Sequence, residues 1–177
     1  FWTECKIAFQ LCSVNILDAR KVTFGPIDNP SNLSDLFDER GGLNLGQGRA
    51  DFAGTLDEIL THGRDSDFRS LLNKRCIHLF FVHNVEDHDN AGEEEGVGGT
   101  ISLGQRQVSY AVVDAATSRP AQTIAHEFAH ALGHAGHSTE ENNLMKEVVG
   151  PNDTKLTGQQ CGALRNHLAS HIDPACP

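Results

Sequence analysis

Between Lys6 and Leu17 the apolar residues Ile7, Phe9, Leu11, Val14 and Ile16 alternate loosely with polar ones, which predicts a strand. Gly25 to Gly48 is rich in Pro, Asn, Asp, Ser and Gly and reads as loop, with a short helical turn at Ser34 to Glu39. From Asp51 to Lys74, Phe52, Leu56, Ile59, Leu60, Phe68, Leu71 and Leu72 recur at steps of three to four, predicting one or two helices broken near Gly63. Cys76 to Val85 is the clearest strand, Glu86 to Gly99 an acidic loop, and strands follow at Thr100 to Leu103 and Gln107 to Val113. Ser118-Arg119-Pro120 then announces a helix, with Ser118 able to cap it and Pro120 in the first turn, where its missing N–H costs nothing. That helix runs to about Leu132 and stops at Gly133, a residue suited to the left-handed position past a helix end. Ser138 to Pro151 is irregular, and Leu156 to Ser170 is a last helix with Leu156, Cys161, Leu164 and Leu168 on one side.

Composition narrows what these elements can do. A chain of 177 residues with 38% hydrophobic positions can build one core, and no apolar run is long enough to span a membrane, the best lying between Ile77 and His83. The formal charge of −10 argues against nucleic acid as a partner, because a phosphate-binding surface needs clustered Lys and Arg. Cys5, Cys12, Cys76, Cys161 and Cys176 form no CxxC motif, and their wide spread fits one or two disulfides in an exported protein. A bridge between Cys161 and Cys176 is the expected pairing, since it would pin the C-terminal tail. The opening Phe-Trp-Thr-Glu-Cys is not a signal sequence and suggests a mature or truncated form.

Ten histidines raise the question of a metal, and five residues of the predicted helix answer it. In His126-Glu127-Phe128-Ala129-His130 the two imidazoles lie about 40° apart around the axis and one turn apart along it. They can share one zinc ion, with Glu127 in reach of a water on it. Chance gives on the order of 0.03 such matches in a chain of this composition. A hydrolytic zinc site needs a third ligand, and on a continued helix His134 would lie about 12 Å from His126 along the axis. The chain must therefore reverse, and Gly133 permits it. His134 and His137 are the candidates, and spacing favours His137, since a few residues are needed to bring the chain back under the metal.

The stretch HEFAHALGHAGHSTEENNLM resembles the zinc signature and Met-turn of the metzincin metalloproteases, in particular their matrixin-like and pappalysin-like members. His126, Glu127, His130 and Gly133 match the family's HExxHxxGxxH in place, whereas its third His would fall on Gly136. His137 comes one position late, giving HExxHxxGxxxH, and Ser138 after it is similar to the His-Ser of matrixins. Asn143-Leu144-Met145 resembles the Met-turn and contains the only Met of the chain. Leu156 to Cys161 resembles the start of the family's C-terminal helix, and the order strand, acidic loop, Gly98-Gly99-Thr100, strand, helix resembles the family's upper lobe, whose edge strand pairs with extended substrate.

The resemblance implies an α+β fold with a twisted mixed sheet, an active-site helix and a small C-terminal subdomain ending in a helix. A single catalytic domain would cover residues 1–177, with an upper lobe over about 1–133, a lower lobe over about 134–177, and the family's first strand missing or displaced. It also implies a secreted, monomeric zinc endopeptidase acting on protein or peptide in extended form. Zn2+ would be held by His126, His130 and His137, with Glu127 as the catalytic base. His134 is expected to turn away, and the extra residue to bulge at Gly136 through a positive φ. Some metzincins carry a Tyr two residues past the Met; here that position is Glu147 and the only tyrosine is Tyr110.

The acidic loop Glu86 to Glu95 could hold Ca2+ through carboxylates, or a second zinc with His83 and His88, but a solvated loop is the simpler account. Asp114 reads as a cap or hydrogen-bond acceptor near the helix start. Two rival functions stay open: an HExxH zinc hydrolase of a non-peptide or N-formyl substrate, and a non-catalytic zinc-stabilised binding module. The late His and the Met-turn speak against the first, and Glu127 against the second.

Overall fold

The computed structural model describes residues 2–11, 14, 23–24, 31–32, 43–44, 75–82, 85–86, 95–103 and 106–172. It is a small α+β protein. Three short strands, β1 (Thr23–Phe24), β2 (Ser31–Asn32) and β3 (Leu43–Asn44), precede β4 (Ile77–Val82), β5 (Val85–Glu86), β6 (Gly96–Leu103) and β7 (Arg106–Asp114), followed by helices α1 (Pro120–Ala131) and α2 (Gly158–His171). β1 pairs antiparallel with β2, and β3 parallel with β5. The main sheet has the order β4-β7-β6, with β4 parallel and β6 antiparallel to β7. Central β7 is covered on both faces, Val108 to Val113 all being buried, as expected of a strand between two neighbours and under a helix.

Helix α1 starts at Pro120 and ends one residue before the predicted Leu132. The expected Ser118 cap is not formed. Arg119 occupies the cap position without a side-chain bond, and Thr117 Oγ1 accepts the Arg119 N–H instead. Proline at the first helical position already removes one of the donors a cap would serve. At the other end Gly133 has φ +83° and donates to His130 O, while His134 N donates to Ala129 O. This is the paired closure of a Schellman motif, and it turns the chain off the helix axis.

Three arcs of α1 meet three surroundings. Advancing about 100° per residue puts Thr123, Glu127 and Ala131 on one arc, Ala125, Ala129 and Leu132 on another, and His126 and His130 at the seam between them. The first arc faces the sheet, where a β-carbon on Gly98 would collide with the Glu127 backbone oxygen. Gly98 pairs with Ala111 and Gly96 with Val113, and the two glycines of β6 on this face let the helix backbone come close. The second arc joins Cys5, Ile7, Leu144, Met145, Val149, Leu156, Cys161 and Leu164 in the core beneath the helix, with Trp2, Ile77, Leu168 and Ile172 packed at its margin.

The predicted strand from Lys6 is not formed over the described residues 6–11. Ile7 enters this core, Trp2 packs against it, Phe9 meets Trp2 and Phe128, and Leu11 is exposed, while Lys6 takes φ 54°, so the segment is a loop and not a strand. The pairing of Cys161 with Cys176 is also overturned, because Cys161 is bonded to Cys5, 156 residues away. Ile7 in the core brings Cys5 onto the first turn of α2, and Arg165 Nη1 donates to Cys5 O there. Cys76 is disulfide-bonded as well. Helix α2 matches the expected segment, with Thr157 as N-cap in a reciprocal capping box with Gln160. The helices predicted over 51–74 and 34–39 lie outside the described residues, as do His83, His88 and positions 87–94 of the acidic loop. The end of that loop is strand, since β6 begins at Gly96. Among the described residues no helix is long and apolar enough to cross a membrane.

Candidate metal centre

His126 and His130 reach the seam of α1 as buried side chains, and each is held through Nδ1 by a backbone carbonyl. His126 Nδ1 donates to Leu144 O at 2.8 Å and His130 Nδ1 to His134 O at 2.6 Å. A carbonyl can only accept, so the protons sit on Nδ1 and the two Nε2 atoms are left as lone-pair donors, 3.0 Å apart. Two nitrogens bound to one tetrahedral zinc lie about 3.3 Å apart.

His137 completes the group. Its ring stacks on His126 with centroids 5.4 Å apart and meets His130 edge-on at 5.2 Å. One ligand atom from each of His126, His130 and His137 falls within 4.8 Å of the others, so the three could hold a metal ion. His134, the other sequence candidate, contributes its carbonyl to His130 while its ring lies beside Gln160, Nε2 to Nε2 3.5 Å. Burial, then the charge of His137, hold the His134 imidazole below the ordinary histidine pKa.

The extra residue before His137 does not take the conformation expected. Gly133 is the glycine with positive φ among those described, and a β-carbon on Gly136 would meet nothing within 4 Å. The reversal is accomplished at Gly133, so the remaining residues reach the histidines without a left-handed glycine. Gly133 is required twice over, since a β-carbon there would also sit 2.9 Å from His167 Nδ1.

Glu127 is buried against the sheet, with Oε1 4.0 Å from His126 Nε2. Met145 is fully buried beside Leu144, and Ser138 N donates to Met145 O, closing the loop between His137 and Met145. Asp114 lies apart from the histidines and accepts the Ala116 N–H in the turn before α1. Glu95, from the acidic loop, is committed to Arg119 at 2.7 Å and to Thr123 Oγ1 at 2.9 Å, which ties β6 to the start of α1. Tyr110 is buried in β7 and Glu147 is exposed.

Two partners of the site escape a motif search: the carbonyls of Leu144 and His134. Backbone acceptors carry no side-chain signature; the helix end at Gly133 hints at the His134 carbonyl, and nothing local to His126 points to Leu144 O. No protein-family model matches this chain, and neither the curated proteins nor the solved structures compared with it give a match.

Proposed function

We propose that this chain is a zinc-dependent endopeptidase of the metzincin kind, with Glu127 as general base. One observation supports this above others: a buried carboxylate stands 4.0 Å from a ring nitrogen of a three-histidine cluster. A metal site that only stabilised a fold would have no use for it. His126, His130 and His137 would hold the ion, and the donor set suits zinc: three imidazoles, two of them locked by carbonyls in the tautomer that offers Nε2. Bound there, zinc supplies Lewis-acid chemistry, polarising the scissile carbonyl and acidifying water.

The remaining work belongs to the protein. Glu127 takes a proton from the attacking water and delivers it to the leaving amine. Its backbone packs against β6 at Gly98 and its Cγ and Cδ lie over Gly96, where a β-carbon would collide with them, so both glycines make room for Glu127 beside the histidines. Among the described residues β6 has β7 on one side only, and an extended peptide would lie along its other edge. The Cys5–Cys161 disulfide suits an oxidising compartment, and we place the protein outside the cell. The test is digestion of an unfolded generic protein by the zinc-loaded chain, with and without chelator, beside an N-formyl peptide. Chelator-sensitive cleavage of internal peptide bonds is expected. Deformylation without proteolysis, or neither activity, would overturn the assignment.

A further inference from the structure

The Gln160 side chain does more than cap α2. It is buried, and its carboxamide has two acceptor sites and two protons. Oε1 accepts from Thr157 N at 2.7 Å and from Asn143 Nδ2 at 3.1 Å. Nε2 donates to Asn143 Oδ1 at 3.3 Å and lies 3.5 Å from His134 Nε2. A capping box needs only the bonds to Thr157; the amide pair with Asn143 is additional.

Asn143 passes the constraint on. Its Oδ1 also accepts the Met145 N–H at 2.8 Å, so the residues on both sides of Leu144 are anchored. Leu144 O, held between them, orients His126. The other segment that Gln160 meets, at His134, supplies the carbonyl that orients His130. One side chain on α2 thus touches both segments whose carbonyls set the ring orientation and tautomer of the two helical histidines.

We infer that Gln160 is a positioning residue for the histidine cluster, acting through Asn143 on the Leu144 carbonyl and through His134 on His130. The inference rests on the metal-site assignment above. Outer partners of metal-bound imidazoles change affinity by about 10- to 100-fold when altered. Gln160 stands one bond further out, so the lower end of that range, about tenfold, is expected.

The experiment uses the full chain and Zn2+, with the dissociation constant read by competition against a chromogenic chelator and the melting temperature of the zinc-free protein read in parallel. Gln160→Glu keeps both acceptors, and with them the cap, but cannot donate to Asn143 Oδ1. Thr157→Ala removes the cap and leaves the amide pair. Gln160→Glu should weaken Zn2+ binding about tenfold and change the visible spectrum of the Co2+-substituted protein. Thr157→Ala should lower the zinc-free melting temperature with Zn2+ affinity within about threefold of the parent. Equal losses of affinity in the two variants would reduce Gln160 to a helix cap, as would a Gln160→Glu protein that binds Zn2+ like the parent. A parent chain that binds no Zn2+ overturns the metal-site assignment and this inference with it, so the two failures are told apart.

Discussion

His134 serves His130 through its carbonyl oxygen, 2.6 Å from His130 Nδ1, and not through its imidazole. The geometry separates two neighbouring histidines that the sequence offers as equal in kind. His134→Ala keeps the carbonyl and should keep zinc near one per chain. His137→Ala removes a ring that faces both other imidazoles and should lose zinc affinity and activity together. Metal analysis after dialysis distinguishes them; zinc lost with His134 and kept without His137 would move the third ligand.

In the proposed mechanism Glu127 acts on the attacking water and is not one of the residues that would hold the metal. Glu127→Gln should bind zinc and fold as the parent does, while turnover of an unfolded protein substrate falls by at least about 10²-fold, the lower range for a general base. Digestion at near the parental rate would remove Glu127 from the mechanism.

Two glycines near the site should respond differently to an added methyl. Gly98→Ala places a β-carbon against the Glu127 backbone, where neither strand nor helix can yield easily. A loss of about 1–3 kcal/mol is expected, as for an overpacked core. Gly136→Ala meets open space at a residue without positive φ and should change stability little. Urea unfolding of the two variants beside the parent measures both.

The Cys5–Cys161 bridge closes most of the chain into one loop. Replacing Cys5 by Ser should cost about 2–5 kcal/mol of unfolding free energy, the usual range for losing a native disulfide. A variant whose unfolding midpoint matches the parent's under non-reducing conditions would show the bridge to be unimportant.

Asp153 sets an acid limit on the loop that follows Met145. The Gly150 N–H, 2.7 Å away, and next the Lys146 ammonium, 3.2 Å away, hold its carboxyl below the ordinary value of 3.8. A depressed folded-state pKa means that the unfolded chain takes up the proton first. The stabilisation is therefore complete above about pH 4 and is lost as the pH falls below it toward the folded value. In urea titrations at falling pH, the stability gap between the parent and Asp153→Asn should narrow below pH 4 and stay constant above it.

The residues of the candidate site stood in the sequence because helix geometry is local. His126, Glu127 and His130 acquire their relation from 3.6 residues per turn, and Gly133 ends the helix through its own φ. Strands β4 and β7, the second half of β6 and helix α2 were visible for the same reason, since their apolar spacing is a property of neighbours along the chain, whereas Gly96 to Gly99 read as loop. Distant contacts were not. The alternation after Lys6 promised a strand, yet among the described residues only Ile7 of that pattern enters the core, beside Cys5, whose bond to Cys161 spans 156 residues, while Leu11 and Val14 stay exposed. The bulge expected at Gly136 was unnecessary once Gly133 had turned the chain. The sequence by itself determined which imidazoles could share a face of α1. The His134 carbonyl reaches His130 locally, through the helix end at Gly133, whereas the Leu144 carbonyl that holds His126 and the Gln160 amide beside both segments are brought there only by tertiary packing.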